Sequence, residues 1–225
     1  MSVNLSAYNR INEQLLPYNA KLVAVSKIKP PSDIKALYNA GQRIFGENYV
    51  QELQEKQALL PADIEWHFIG HLQSNKVKYI APFVSMVHAV DSIKLLEEIS
   101  KQAAKHNRVI RCLLQVHIAK EETKFGLSDE ELIALLESHQ QQAARFANIE
   151  IAGLMGMATN TDDMEQVRTE FRHLHTLQQS LKQRFFADTN AFTELSVGMS
   201  GDYTIALEEG STMVRIGSML FGARL

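Results

Sequence analysis

The first stretch of the chain that could carry chemistry is LVAVSKIKP at residues 22–30, a strand-like apolar run that ends on Lys27 and is closed by Pro30. An isolated lysine at a strand end is most often a surface residue. A lysine amine that is held partly desolvated in a pocket is instead a nucleophile toward aldehydes. Lys27 is therefore a candidate imine-forming residue, and the rest of the sequence has to choose between the two interpretations.

A second candidate feature is a pair of glycine-serine turns near the C-terminal end. Ser200 and Gly201 precede a short predicted helix that ends at Gly210, and Gly217 and Ser218 follow the last predicted strand. Glycine lets backbone amides approach an anion closely, and a serine hydroxyl adds one more donor. These turns fit a phosphate site, although ordinary turn glycines would explain them equally well.

The elements that would position these residues follow from hydrophobic patterning. Short apolar runs alternate with segments of helical periodicity, which implies parallel strands joined by helices. The strand-like runs lie at 22–26, 43–47, 65–70, 85–90, 111–118, 149–158, 193–199 and 213–217. Eight such units predict an α/β fold, a single (β/α)8 TIM barrel over residues 1–225. The rival architecture, a doubly wound open sheet, lacks its G-x-G-x-x-G motif after the first strand.

Local signals predict several helices. An amphipathic segment at 4–16 predicts an extra N-terminal helix against the barrel floor or flank, with Leu5, Tyr8, Ile11 and Leu15 facing inward. Signals for helix ends stand at Pro31, Gly41, Ser92 and the Ser128–Glu131 capping box. Thr161 is expected to begin a longer helix in which Met164, Val167, Phe171 and Leu174 recur at a spacing of three or four residues.

The barrel prediction brings the two candidate features together. Chemistry in such barrels lies at the C-terminal ends of the strands, and phosphate often binds after strands 7 and 8. A strand-1 lysine facing a phosphate site fits a phosphorylated aldehyde, and pyridoxal 5'-phosphate (PLP) carries both groups. Arg215 on strand 8 could donate a hydrogen bond to the pyridine nitrogen. Because arginine stays protonated, that nitrogen would stay unprotonated and carbanion chemistry would be weak.

Four motifs occur in order along the chain: VAVSKIKP, FGENYVQE, WHFIGHLQSNK and LSVGMSGDYTIALEEGSTMVRIGSMLFGAR. They resemble the pyridoxal phosphate homeostasis protein family, single-domain relatives of the alanine racemase N-terminal barrel, over nearly the whole chain. The resemblance implies a carrier or regulator of intracellular PLP, without established catalytic activity, that holds PLP as a Schiff base. It implies that Lys27 is the Schiff-base lysine, that Arg215 faces the pyridine nitrogen, that Asn48 lines the pocket, and that phosphate is held by Ser200, Gly217 and Ser218.

Two positions depart from the family pattern. Ile28 stands where relatives often have a polar residue, and the KEETKFG loop carries Thr123 and Phe125 where relatives tend to have smaller residues. Neither position is expected to contact PLP, but the loop would change what can enter the barrel mouth.

Two other functions stay open. A small PLP-dependent amino-acid racemase would need a second base, for which His71 and His88 are candidates. A cofactor-free class I aldolase would use Lys27 on sugar phosphates. Two-base racemases of this type resemble a barrel followed by a C-terminal β domain, and the chain ends seven residues after Ser218, which favours the non-catalytic interpretation. Rival imine lysines with more polar flanks are Lys29, Lys76 and Lys124.

Composition limits the class of protein. The 225 residues are 45% hydrophobic and 22% charged, which is typical of a globular domain with a sizeable core. A net charge of -3 gives no general attraction to nucleic acid or membranes. The single cysteine, Cys112, lies in an apolar run and indicates a buried, inert thiol. Without a signal peptide or an apolar span, we expect a cytoplasmic monomer that binds no metal and whose partners are PLP and possible PLP-dependent apo-enzyme clients.

Overall fold

The computed structural model describes residues 3–121 and 125–222. Eight parallel strands close into a barrel in the order in which they occur along the chain, and the last strand pairs with the first. The strands are β1 (Lys21–Val25), β2 (Ile44–Glu47), β3 (Glu65–Phe68), β4 (Met86–Val90), β5 (Ile110–Val116), β6 (Ile149–Gly156), β7 (Glu194–Ser196) and β8 (Met213–Ile216). The predicted (β/α)8 barrel is therefore confirmed.

Helices cover the outside of the barrel. The described α-helices are α1 (Leu5–Leu15), α2 (Pro31–Asn39), α3 (Val50–Leu59), α4 (Val77–Ile80), α5 (Ile93–Ala104), α6 (Asp129–Gln141), α7 (Met164–Phe185), α8 (Tyr203–Glu208) and α9 (Ser218–Phe221). The predicted extra N-terminal helix is α1, which packs against β1 and α9 on the barrel flank. Its Leu5 is exposed, whereas the other three residues expected to face inward are buried.

Side chains alternate across the strands and so build two cores. One apolar cluster fills the barrel interior and includes Val23, Leu113 and Met213, from β1, β5 and β8. A larger cluster fills the layer between strands and helices and contains Cys112, the expected buried cysteine. Burial raises the pKa of this thiol, as expected for an inert cysteine. No helix within the described residues is long and apolar enough to span a bilayer.

The signals for helix ends were correct in most places. Ser92 accepts a hydrogen bond from the backbone of Leu95, and Ser128 and Glu131 form the predicted capping box. The expectation that Thr161 begins α7 is wrong, because Asp163 accepts the first free amides of this helix. Met164, the first residue of α7, is 39% exposed, whereas Val167, Phe171 and Leu174 are buried.

Strand β7 is shorter than the predicted run at 193–199, because it ends at Ser196. Gly198 adopts a φ of +91°, which turns the chain out of the strand conformation. A Cβ at this position would lie 2.6 Å from the side chain of Ala206, so α8 packs directly on the glycine. The extra residues therefore belong to the loop that leads into α8.

A charged cluster closes the end of the barrel where the strands begin. The buried carboxylate of Glu194 accepts hydrogen bonds from Lys21 Nζ at 2.6 Å, Thr212 Oγ1 at 2.9 Å and Arg111 Nη2 at 3.1 Å. Burial by itself would raise the pKa of Glu194, but these partners outweigh burial and lower it. Ionised Glu194 therefore stabilises the folded state at neutral pH.

We predict that Glu194→Gln lowers the free energy of unfolding by about 3 kcal/mol at pH 7, because a neutral amide leaves Lys21 without its carboxylate partner and Arg111 with Glu150 alone. The carboxyl pKa is lower in the folded chain than the ordinary value of 4.5. The wild type therefore loses this stabilisation as pH falls through and below 4.5. Urea denaturation should show that the difference in free energy of unfolding between variant and wild type is smaller at pH 4 than at pH 7. An equal difference at both pH values would contradict a stabilising role for the ionised carboxylate.

Candidate cofactor-binding site

A cavity of about 310 Å³ opens at the carboxyl ends of the strands. Its lining includes all seven residues selected from the sequence, namely Lys27, Asn48, Ser200, Gly201, Arg215, Gly217 and Ser218. Barrel closure explains this convergence, since parallel strands place their carboxyl ends around one mouth. The structure thus brings the candidate residues together, while their contacts with a ligand remain a prediction.

Volume alone does not distinguish this cavity. Larger depressions of about 350 and 410 Å³ lie on the outer surface, beside α1 and α5. They are lined mainly by polar or charged helix side chains. The mouth cavity differs because a lysine, an arginine and two glycine-serine turns converge on it from strands β1, β7 and β8. Such convergence of a few polar groups is typical of ligand sites.

Lys27 lies in a turn immediately after β1 and is half-buried. Its neighbour Lys29 also lines the cavity, but the Nζ atom of Lys29 donates a hydrogen bond to the carbonyl of Phe221 at 2.9 Å. Lys76 lines a separate cavity of about 260 Å³, and Lys124 lies outside the described residues. Lys29 is thus held by α9, and Lys27 is the lysine that the strand order places at the mouth.

Buried side chains of α3 and β2 hold the turn that carries Lys27. Lys56 Nζ donates to the carbonyl of Ser26 at 2.7 Å, to Glu47 Oε1 at 2.7 Å and to Glu52 Oε1 at 2.6 Å. Glu52 Oε1 also accepts the backbone N–H of Ile28 at 2.6 Å. Backbone groups on both sides of Lys27 are thus fixed by one cluster, which we call the α3 clamp: Glu47, Glu52 and Lys56.

The α3 clamp is a partly satisfied ionic cluster. Glu47 is fully buried, and burial raises its pKa against the opposing effects of Lys56 and Ser26. Its Oε2 atom has no hydrogen-bond partner within the described residues. The clamp was not predicted from the sequence, although FGENYVQE contains both acids and Lys56 follows Glu52 by four positions, the spacing of a helical ion pair.

Ile28 has a φ of +61°, in the left-handed region. For a β-branched residue this conformation is an outlier that costs roughly 1–2 kcal/mol. The side chain is 63% exposed, so burial does not compensate for the strain. The hydrogen bond from its N–H to Glu52 holds the conformation and so contributes to the direction in which Lys27 leaves the strand.

Arg215 places a positive charge at the base of the cavity, where it is only 4% exposed. Its Nη1 atom donates to the carbonyl and the hydroxyl of Ser196 at 2.6 and 2.8 Å, and Nη2 donates to the carbonyl of Gly156 at 3.0 Å. These bonds use three of the five N–H donors of a guanidinium, which leaves two. Burial lowers the pKa of Arg215 to about 10, so the group is still protonated at neutral pH.

No carboxylate pairs with Arg215 among residues 3–121 and 125–222. The negative charge of Asp202 raises the pKa of Arg215 against the larger effect of burial. A buried cation without a counter-ion is costly unless other groups compensate. The site therefore fits a ligand that brings an acceptor atom or a negative charge.

The two glycine-serine turns differ in what their glycines permit. A Cβ on Gly201 would meet no atom within 4 Å, so this turn leaves open space beside the cavity. A Cβ on Gly217 would lie 3.2 Å from the carbonyl oxygen of Val25, so glycine lets the chain pass close to β1. The hydroxyls of Ser200 and Ser218 make no hydrogen bond within the described part of the chain. Both turns thus offer donors for an anion.

The histidines proposed as second bases lie elsewhere. His88 is fully buried below the cavity, where Nδ1 lies 3.0 Å from Ser196 Oγ. His71 lines the neighbouring cavity, stacks on Phe125 with ring centroids 4.9 Å apart and lies 3.5 Å from Asp91. Within the described residues no three His, Cys, Asp or Glu side chains form a metal site. Thr123, singled out above in the KEETKFG loop, lies outside the described residues 3–121 and 125–222.

The geometry defines a closed parallel barrel in which a lysine after the first strand and two glycine-serine turns after the last two strands line one cavity. Residues 6–225 match the family model described as alanine racemase, N-terminal domain. The "Pyridoxal phosphate homeostasis protein" of Aquifex aeolicus (strain VF5) is 43% identical over 91% of this chain and 87% of the relative. The relative of the same name from Vibrio alginolyticus is 41% identical over 92% and 88%. The chain belongs to the pyridoxal phosphate homeostasis protein family.

Solved structures agree with this assignment. The structure of PipY from Synechococcus elongatus PCC7942 with PLP bound superimposes with a TM-score of 0.85 at 35% identity. The alignment covers 96% of this chain and 99% of PipY. The two proteins therefore share the barrel along almost their whole length.

We predict that Ile28→Asn raises the free energy of unfolding by about 1 kcal/mol, because asparagine tolerates the left-handed region better than a β-branched residue. Urea denaturation at pH 7 measures the change. The control is Val109→Asn, an equally apolar surface position that is 58% exposed and has no positive φ. If both variants were more stable than the wild type, or if Ile28→Asn were less stable, the positive φ at residue 28 would not explain the change in the free energy of unfolding.

Proposed function

We propose that the chain, as a single domain over residues 1–225, binds PLP as a Schiff base on Lys27 and acts as a cytoplasmic carrier or regulator in PLP homeostasis. The observation that carries the proposal is the meeting of Lys27, the buried cation of Arg215 and two glycine-serine turns in one cavity. The names of the relatives and the PLP-bound PipY structure support it.

The bond chemistry requires only the lysine amine and the aldehyde that PLP supplies. Unprotonated Lys27 Nζ adds to the aldehyde carbon, a C=N bond replaces the C=O bond, and the oxygen leaves as water. The α3 clamp keeps the backbone on both sides of this lysine in place during the reaction.

The remaining residues provide binding and orientation. The backbone amides and hydroxyls of the turns at Ser200-Gly201 and Gly217-Ser218 suit the phosphate, which needs several donors at once. The two free N–H donors of Arg215 suit the pyridine nitrogen, an acceptor. Asn48 Oδ1 is buried without a partner among the described residues, so it can accept a hydrogen bond from the ligand.

The described lining of the mouth cavity supports a carrier role. Neither His71 nor His88 lines the cavity, and Gly201 is exposed at its edge. Water can therefore reach the imine, which favours reversible loading and release over retention of a reactive carbanion. We propose PLP-dependent apo-enzymes as the recipients and a monomer as the working unit.

Lys27→Ala should abolish the visible absorbance that develops when PLP is added to the purified wild type. Borohydride reduction followed by peptide mass spectrometry should place the PLP mass on Lys27. Lys29→Ala is the matched control, because Lys29 lines the same cavity but bonds to Phe221, and it should keep the absorbance. A wild type that stays colourless with PLP would refute the proposal, and trapping of a sugar phosphate on Lys27 would support the aldolase alternative.

The PLP-loaded protein should not exchange the α-hydrogen of L- or D-alanine in deuterated water faster than free PLP does, because neither His71 nor His88 lines the described cavity and Lys29 Nζ is bonded to the carbonyl of Phe221. Proton NMR of the amino acid over several hours measures the exchange. The same incubation with Lys27→Ala supplies the background. Exchange well above that background, with interconversion of the enantiomers, would instead show a racemase.

A further inference from the structure

Polar side chains cross the barrel interior directly below the mouth cavity. Arg215 Nη1 lies 2.8 Å from Ser196 Oγ, which lies 3.0 Å from His88 Nδ1, and His88 Nε2 lies 2.9 Å from His67 Nδ1. The four residues come from β8, β7, β4 and β3, and all are buried. The function proposed above uses Arg215 alone and leaves the other three without a role.

The direction of this chain of hydrogen bonds follows from its first member. A guanidinium only donates, so Arg215 donates to Ser196 Oγ. Ser196 then has one hydroxyl proton to place. Among the described residues His88 Nδ1 is its available acceptor, and a buried hydroxyl proton without a partner would cost about 1–3 kcal/mol. Ser196 therefore donates to His88 Nδ1.

The two imidazoles continue the chain. Burial lowers the pKa of His67 to about 3 and that of His88 well below its ordinary value, so both rings are neutral at pH 7. The positive charges of Arg111 and Arg215 act in the same sense. Since His88 accepts at Nδ1, its proton lies on Nε2 and is donated to His67 Nδ1. The proton of His67 then lies on its own Nε2.

We propose that Ser196, His88 and His67 are positioning residues for Arg215, joined by a one-way chain of hydrogen bonds that runs from Arg215 to His67. The inference rests on the proposed function, in which Arg215 meets the pyridine nitrogen. This series of hydrogen bonds keeps a hydroxyl lone pair of Ser196 directed at Nη1 of Arg215. Both Nη1 N–H groups therefore donate to Ser196, one to its carbonyl and one to its hydroxyl. The two remaining donors are then left for the ligand.

Ser196 Oγ links Arg215 to His88, whereas a second buried serine nearby makes no such link. Ser211 Oγ lies within hydrogen-bond distance only of the backbone carbonyls of Leu195, Val197 and Met213 among the described residues. Both hydroxyls are buried, and removal of either should cost similar stability. Ser211→Ala is therefore a matched control for Ser196→Ala.

The first test needs no PLP. Nitrogen-15 NMR of the histidine rings at pH 7 should show His67 and His88 both neutral, with the proton on Nε2. In Ser196→Ala the His88 ring should become a mixture of tautomers, whereas Ser211→Ala should leave both rings unchanged. A proton on Nδ1 of either ring in the wild type would overturn the proposed direction, even if the serine variants fail to fold.

The second test asks whether the series of hydrogen bonds from Arg215 to His67 affects PLP binding through the pyridine nitrogen. Affinity is measured for PLP and for the analogue in which C–H replaces that nitrogen. Ser196→Ala should weaken PLP binding about tenfold and the analogue much less. Equal losses for both ligands would overturn the positioning role. A wild type that binds neither ligand would contradict the proposed function, and the tautomers would then decide the hydrogen-bond chain alone.

Discussion

A positive charge buried at the mouth of a parallel barrel is the constraint on which the site depends. Removing a guanidinium from water costs several kcal/mol unless hydrogen bonds and opposite charges compensate. For Arg215 the compensation comes from the carbonyls of Ser196 and Gly156, at the ends of β7 and β6. Their positions are fixed by the pairing of β6, β7 and β8. Closure of the barrel therefore holds the charge in place, and a bound acceptor would complete its coordination.

The two ends of the barrel differ in how far their buried polar groups are satisfied by hydrogen bonds. At the end where the strands begin, Glu194 is saturated by Lys21, Arg111 and Thr212, as buried polar groups usually are. At the mouth, donors of Arg215 and the amide oxygen of Asn48 remain unused within the described residues. Saturated groups add stability, whereas unused groups are available to a ligand. The contrast assigns stability to one end and binding to the other.

The sequence predicted the barrel and the seven cavity residues because both depend on topology. Apolar runs mark the strands, and strand ends meet at one mouth whatever the details of packing. The role of His88 was not predictable in this way, since its place near a strand end does not show that its ring points down into a dry interior. Lys56 was missed because a lysine on an amphipathic helix resembles a surface charge. The start of α7 was predicted two residues early, at Thr161, because threonine and aspartate are both good helix caps and only the fold shows that Asp163 accepts the first amides.

The turn that carries Lys27 is held from two directions. The α3 clamp fixes the carbonyl of Ser26 and the amide of Ile28, and Lys29 bonds to the carbonyl of Phe221 at the end of α9. Helix α9 begins at Ser218, so this last bond joins the lysine turn to one of the two proposed phosphate-binding turns. Hydrogen bonds made by backbone and side-chain groups around Lys27 therefore tie the lysine turn to the turn at Gly217-Ser218. A site that is organised before the ligand arrives loses less entropy on binding, and the strain at Ile28 is a cost of that organisation.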